Sequence, residues 1–124
     1  MEKDPKACAV LAAKTLDDKK GRDIVILDIS DISSIADYFV IATGRSIIHV
    51  KALADEVEKK LMEEGYKLRG KEGYEEAKWV LLDFNDVVIH IFYEPEREYY
   101  MLERLWADAR RLDIDITCQI SYNK

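Results

Sequence analysis

The sequence has few residues that break regular structure and few that could cross-link it. Only five glycines and two prolines occur among 124 residues, which argues against a long flexible linker. The two cysteines, Cys8 and Cys118, lie near opposite ends without a Cys-x-x-Cys spacing, so we predict two buried, reduced thiols. The two histidines, His49 and His90, fall on different predicted elements. We therefore expect no metal site and no cofactor.

Long apolar runs and a surplus of basic residues are also missing. No uncharged apolar run approaches the ~20 residues of a membrane-spanning helix, and the start Met1-Glu2-Lys3 does not resemble a secretory signal. We expect a cytoplasmic protein without a membrane partner. Acids outnumber bases by 25 to 19, giving a net charge of −6. This balance disfavours a broad nucleic-acid binder and leaves a basic protein, a small molecule or an uncharged partner open.

Periodic patterns predict the first helices and the strands. A helix capped by Asp4 buries small residues at one-face spacing and ends at Gly21, which we expect in the left-handed conformation. A second helix begins after Ser46, carries an apolar stripe from Val50 to Leu61 and stops at Gly65. Apolar runs predict strands at 24–27, 38–42, 79–84 and 87–93, the last two joined by a two-residue hairpin loop.

The remaining segments give weaker signals. Residues 66–77 are rich in charge and glycine, which predicts a mobile surface loop with a possible short edge strand at 66–68. A third helix is predicted between Pro95 and Leu112, and period-two alternation at 112–120 predicts a terminal edge strand. We predict one α/β (α+β) domain over residues 1–124, a mixed sheet flanked by helices, with 112–124 as an edge-strand extension.

Two groups of residues offer chemistry. The turn Gly44-Arg45-Ser46 joins a strand to a helix and could hold an anion, although it matches no known phosphate-binding loop. Asp113 and Asp115 would share one face of the last strand and could hold a divalent metal for phosphoryl transfer. A plain strand–helix connection and a charged sheet edge explain the same residues and are favoured. A metal-dependent nucleotidyltransferase remains the alternative.

Ordered sequence blocks resemble a known family. They lie at 28–30, 36–44, 72–73, 79–83, 86–92 and 97–106, and include Trp79-Val80-Leu81-Leu82-Asp83. Their combination over residues 5 to 109 resembles the ribosomal silencing factor family, also called Iojap-like. The resemblance implies a nucleotidyltransferase-like fold without enzymatic activity. It implies binding to the large ribosomal subunit through ribosomal protein L-fourteen, a steric block to joining of the small subunit, and hence translational repression.

The resemblance also implies a homodimer, no sequence-specific nucleic-acid binding, and a contact surface on the paired strands at 79–83 and 87–93. On the first strand Trp79, Leu81 and Asp83 would share one face and Leu82 the other. We expect Trp79 to act as an apolar anchor and Asp83 as an acidic contact. A dimeric scaffold for another basic partner is a further alternative. The predicted partner-binding residues are Trp79, Leu81, Leu82, Asp83, His90 and Phe92.

Overall fold

The described chain, residues 4–31, 36–94 and 110–111 of a computed structural model, contains two helices and six strands. The chain order differs from the prediction at two places, because the short edge strand lies at 70–72 and residues 110–111 form a strand where a helix was predicted. The helices are α1 (Pro5–Asp18) and α2 (Ile47–Glu63). The strands are β1 (Arg22–Asp28), β2 (Tyr38–Gly44), β3 (Gly70–Glu72), β4 (Trp79–Asp83), β5 (Val87–Tyr93) and β6 (Arg110–Arg111).

Helix α1 begins as predicted and ends differently. The Asp4 carboxylate accepts a hydrogen bond from the Lys6 backbone N–H at 3.1 Å, so Asp4 caps the helix. The left-handed residue at the other end is Lys20, with φ of 71°, so the prediction for Gly21 is wrong. Gly21 is needed for a different reason. A Cβ there would lie 2.9 Å from the Leu16 carbonyl oxygen, which accepts the Gly21 N–H.

Helix α2 confirms the prediction at both ends and along its buried face. The Ser46 hydroxyl accepts the His49 backbone N–H at 3.0 Å, and Gly65 leaves the helix with φ of 95°. The positions at i, i+3, i+4, i+7 and i+11 pack against the sheet, as a 3.6-residue repeat requires. These fully buried residues are Val50, Leu53, Ala54, Val57 and Leu61.

The strands form one mixed sheet in the order β3-β4-β5-β2-β1-β6. Only the central pair, β2 and β5, is parallel among the strands described, and the remaining pairs are antiparallel. Both helices pack on one face of this sheet in a shared apolar core. The mixed α+β architecture predicted from the sequence is therefore confirmed. The middle of the opposite face is buried as well, at Val25, Leu27, Phe39, Ile41 and Phe92.

The edge strand lies at Gly70–Glu72, so the predicted edge strand at 66–68 is wrong. The physical reason is the end of α2, where the Tyr66 backbone N–H still donates to Leu61 at 3.0 Å. Residues 66–68 are thereby held beside the helix. The chain first reaches the sheet at Arg69, whose backbone N–H donates to the Asp83 carbonyl at 2.6 Å.

The hairpin between β4 and β5 has the predicted two-residue loop. The Phe84 N–H donates to the Val87 carbonyl at 2.9 Å, and Asn85 adopts a positive φ of 76° between them. Within the described part of the chain, no helix is long and apolar enough to cross a membrane. Most of the predicted third helix, and the strand predicted in the 112–124 extension, lie outside the described residues. At its end the helix prediction is wrong, because Arg110–Arg111 form β6, which pairs antiparallel with Leu27 and Asp28 of β1.

Candidate partner-binding surface

Four side chains at one end of the sheet form the candidate surface, which we call the edge strip: Glu72, Trp79, Leu81 and Asp83. Along β4 the exposed and buried positions alternate, so Trp79, Leu81 and Asp83 share the face that points away from the helices. Glu72 of β3 pairs with Leu81 and therefore lies on the same face. Glu72 is exposed and the other three are partly buried.

Trp79 is held by two neighbours on β5. Its indole Nε1–H donates to the Nδ1 atom of His90 at 3.1 Å. Its ring stacks on Phe92 with the centroids 5.0 Å apart and the planes inclined by 29°. The stacking sets the plane of the indole, and the hydrogen bond sets its direction within that plane. Trp79 is thus a partly exposed aromatic side chain with a defined orientation.

His90 lies underneath the indole and is 4% exposed. Burial lowers the pKa of His90 from its ordinary 6.5 to about 4, so the ring is neutral at physiological pH. Because Nδ1 accepts the indole proton, the ring proton resides on Nε2. Among the described residues Nε2 finds no hydrogen-bond partner. The ring also makes an edge contact with Phe39, with the centroids 4.6 Å apart.

Asp83 is fixed at the hairpin end of the edge strip. Its carboxylate accepts the Asn85 backbone N–H at 2.8 Å, a local bond that holds the side chain against the loop. The Arg69 guanidinium donates to the Asn85 side-chain oxygen at 2.6 Å, so the loop is tied to the neighbouring segment too. The acid therefore stands on a constrained turn and remains partly accessible to a basic side chain.

The structure separates the six predicted site residues into three groups. Trp79, Leu81 and Asp83 lie together on the edge strip, as the alternation predicted. His90 and Phe92 lie on the same face but are buried beneath Trp79. Leu82 points to the helix side and is fully buried in the core, so its role in the described fold is packing.

Glu72 is the strip residue that sequence reasoning missed. The charge and glycine content of 66–77 predicted a loop, and a three-residue strand is too short to show a period. One signal was available. Gly73, with φ of +78°, allows the chain to turn back toward β4, since a Cβ there would collide with the Trp79 carbonyl oxygen. That close approach brings the end of β3 next to the start of β4.

The turn at Gly44-Arg45-Ser46 is already occupied by the protein itself. A Cβ on Gly44 would lie 2.7 Å from a Val50 methyl, so this glycine permits close packing of α2 on the strand. The Arg45 backbone N–H donates to the His49 Nδ1 atom at 3.0 Å, and the His49 N–H is taken by the Ser46 cap. Two donors that an anion would need are therefore in use, which favours the plain strand–helix connection.

The other candidates for chemistry give little support to a metal site. Over residues 4–31, 36–94 and 110–111, no group of three His, Cys, Asp or Glu residues could hold a metal ion. Asp113, Asp115 and Cys118 lie outside the described residues. Cys8 is buried as predicted, and burial raises the pKa of its thiol to about 12, which makes it a poor nucleophile.

Comparison with known proteins decides the family. A family model described as "Ribosomal silencing factor during starvation" matches residues 2–123. The chain belongs to the ribosomal silencing factor family. It is 46% identical over 110 residues to the ribosomal silencing factor RsfS of Bacillus subtilis, covering 89% of this chain and 93% of that protein. The chloroplastic Iojap protein of Arabidopsis thaliana is 33% identical over 108 residues, covering 87% of this chain and 45% of that protein.

Solved structures agree with this assignment. A crystal structure of a protein from Chromobacterium violaceum is similar with a TM-score of 0.83 and 42% identity, covering 85% of this chain and 88% of that one. A crystal structure of a protein from Bacillus halodurans is similar with a TM-score of 0.78 and 40% identity, covering 88% of this chain and 99% of that one. The resemblance seen in the sequence blocks is therefore confirmed. In this ribosomal silencing factor, the blocks at 36–44 and 79–83 contain β2 and β4, and the block at 86–92 contains all of β5 except Tyr93.

Proposed function

We propose that this ribosomal silencing factor is a non-enzymatic translational repressor in the cytoplasm. It binds the large ribosomal subunit through ribosomal protein L-fourteen and sterically prevents the small subunit from joining. The observation that carries the proposal is the edge strip, where an oriented Trp79 stands beside Leu81 and the acids Asp83 and Glu72. Aromatic anchors flanked by polar residues are typical of protein–protein hot spots.

The charges of the edge strip favour a basic protein over RNA as the partner. Asp83 and Glu72 can pair with Lys or Arg side chains, whereas they repel phosphate groups. The whole chain has a net charge of −6, so the repulsion from ribosomal RNA extends beyond the strip. Trp79 and Leu81 supply apolar area that such a partner can bury. Affinity and selection against RNA thus come from adjacent residues.

A steric mechanism requires occupancy of a surface and no chemical turnover. A folded domain of this length is roughly 30 Å across, enough to block a contact between two large particles when bound at their interface. The occupied turn at Gly44 and the absence of a metal-ligating cluster among the described residues are compatible with this role. We further propose that the protein is a homodimer, to be measured by sedimentation equilibrium.

Sedimentation of purified ribosomal subunits tests the proposal directly. With saturating protein, we expect co-migration with the large subunit and a decrease in joined ribosomes. We also expect purified L-fourteen alone to bind the protein. Joined ribosomes at their normal level, with the protein bound or unbound, would contradict the steric mechanism. Binding to large subunits that lack L-fourteen would contradict the choice of partner.

Variants locate the contact surface. Trp79→Ala and Asp83→Lys are each expected to weaken binding by about 30-fold, the size typical of a hot-spot residue. The matched controls lie on α2, across the sheet from the edge strip: Ile48→Ala removes an apolar side chain that is 80% exposed, and Glu63→Lys reverses an exposed charge. Both controls should bind like the wild type. Weakening by the controls and not by the strip variants would assign the contact to α2.

A further inference from the structure

We propose that His90 is a positioning residue, whose Nδ1 atom holds the Trp79 indole in the orientation that receives the partner. This inference rests on the proposed function and changes the role predicted for His90 from the sequence. His90 was expected to touch the partner, but it is 4% exposed and lies in register between Ile41 of β2 and Leu81 of β4. A side chain so placed can influence binding only through the residues above it.

His90 acts on the surface through one specific hydrogen bond to Trp79. Stacking on Phe92 restricts the plane of the indole, and a half-turn about χ2 would keep that plane while moving Nε1 to the other side of the ring. The 3.1 Å bond from Nε1 to the His90 Nδ1 atom favours one of these two orientations. A side chain already ordered before binding loses less conformational entropy when the partner docks. His90 therefore raises affinity without contacting the partner.

The neighbourhood of His90 argues against a purely structural role. Its ring is enclosed by apolar groups, Phe39 among them, and among the described residues its Nε2 atom has no partner. An apolar ring would fill the same space without an unsatisfied buried N–H, so histidine is a costly choice for packing alone. The feature that phenylalanine would lack is an acceptor for the indole proton. Burial keeps that acceptor unprotonated at neutral pH, because it lowers the pKa of His90 to about 4.

Two substitutions separate the acceptor from the packing. His90→Leu removes the acceptor, whereas His90→Asn keeps an oxygen close to the position of Nδ1. On the free protein, the Nε1–H resonance of Trp79 in proton–nitrogen NMR, assigned with Trp79→Phe, reports the hydrogen bond. We expect this resonance to shift and to exchange faster in His90→Leu, and to return toward the wild-type values in His90→Asn. His90→Phe serves as the acceptor-free variant if the leucine variant does not fold.

Affinity for the large subunit then tests the consequence for docking. We expect His90→Leu to weaken binding about fivefold to tenfold and His90→Asn to recover most of that loss. In a Trp79→Ala background, His90→Leu should have no further effect, because its path to the partner has been removed. Equal affinity of His90→Leu and the wild type would overturn the proposal. The proposal would also be overturned if His90→Leu weakened binding by the same factor in the Trp79→Ala background as in the wild-type background.

The two measurements also keep this proposal distinct from the proposed function. If the wild-type protein fails to bind the large subunit, the proposed function fails and the docking role of His90 fails with it. The NMR experiment uses the free protein, so an unchanged indole resonance in His90→Leu overturns the positioning role even when the wild type binds. Both proposals are supported if the wild type binds the large subunit and if His90→Leu differs from the wild type in its indole resonance and in its affinity.

Discussion

The buried imidazole of His90 links the stability of the fold to pH. Burial lowers its pKa from the ordinary 6.5 to about 4, so between these values the unfolded chain binds a proton that the folded chain does not. The stability associated with the neutral ring is fully present above pH 6.5 and is lost progressively as the pH falls toward 4. His90→Phe removes this contribution because phenylalanine does not titrate.

The size of the effect follows from the two pKa values. Integrating proton binding for 6.5 in the unfolded chain and about 4 in the fold gives a loss of about 2 kcal/mol between pH 7 and pH 5. Below pH 4 the loss levels off at roughly 3 kcal/mol, since both states are then protonated. For a domain of this length, about 2 kcal/mol corresponds to a decrease in Tm of roughly 8 °C.

Urea unfolding at pH 7 and pH 5 measures this loss in the free energy of unfolding directly. The carboxylates titrate in both proteins, so subtracting the loss in His90→Phe from the wild-type loss isolates His90. We expect the wild type to lose about 2 kcal/mol more than the variant between the two pH values. Trp79→Phe is the matched control, since it removes the hydrogen bond but leaves the imidazole buried, and it should keep the wild-type dependence. Losses equal within about 0.5 kcal/mol in the wild type and His90→Phe would refute the reasoning.

Three further predictions test the fold at Gly73, His49 and Cys8. Gly73→Ala forces a side chain onto a φ of +78° and against the Trp79 carbonyl, so we expect about 2–3 kcal/mol of destabilisation in urea unfolding and altered Trp79 fluorescence. His49→Ala removes a ring that accepts from Arg45 and donates to the Lys19 carbonyl at 2.9 Å, and should cost about 1–2 kcal/mol in thermal melts. Cys8, 2% exposed, should resist iodoacetamide at pH 8 until the protein is denatured, as peptide mass mapping would show.

Helix α2 could be predicted because independent local signals agree on it. Ser46 supplies the cap, the apolar repeat from Val50 to Leu61 supplies the buried face, and Gly65 supplies the exit. Each signal depends on residues within a few positions of one another, which is the range that a single sequence reports reliably. The alternation of Trp79 to Asp83 is local in the same sense, and its division into two faces is confirmed.

Features that depend on contacts between distant segments could not be predicted. Strand β3 exists because Gly70–Glu72 meets β4, and its own three residues carry no pattern. Lys20 takes the left-handed position because the Gly21 N–H binds back to the helix, where there is no room for a Cβ. Only β3 is set by tertiary pairing, whereas the exchange of Lys20 for Gly21 comes from the backbone bond that closes the end of α1.

The bond between Trp79 and His90 lies between these two cases. A two-residue hairpin loop fixes the register, so Trp79 must face Phe92 and Leu81 must face His90. Trp79 and His90 are then diagonal neighbours, within reach of long aromatic side chains. Whether they meet depends on the twist of the strands and on which rotamer the indole adopts. The sequence specifies neither, and the burial of His90 becomes apparent only when the sheet is assembled.

The chemistry of the edge strip gives a reason for a buried histidine that lowers stability at acidic pH. An acidic protein gains little affinity from ribosomal RNA, so in the proposed function its affinity comes from a small area that contacts a protein partner. In a small area, the orientation of one large side chain accounts for much of the affinity. An acceptor beneath Trp79 secures that orientation, and the part of its cost that depends on pH is confined to acidic conditions, where the unfolded chain takes up the proton. At neutral pH the fold keeps the oriented indole and loses almost no stability through protonation.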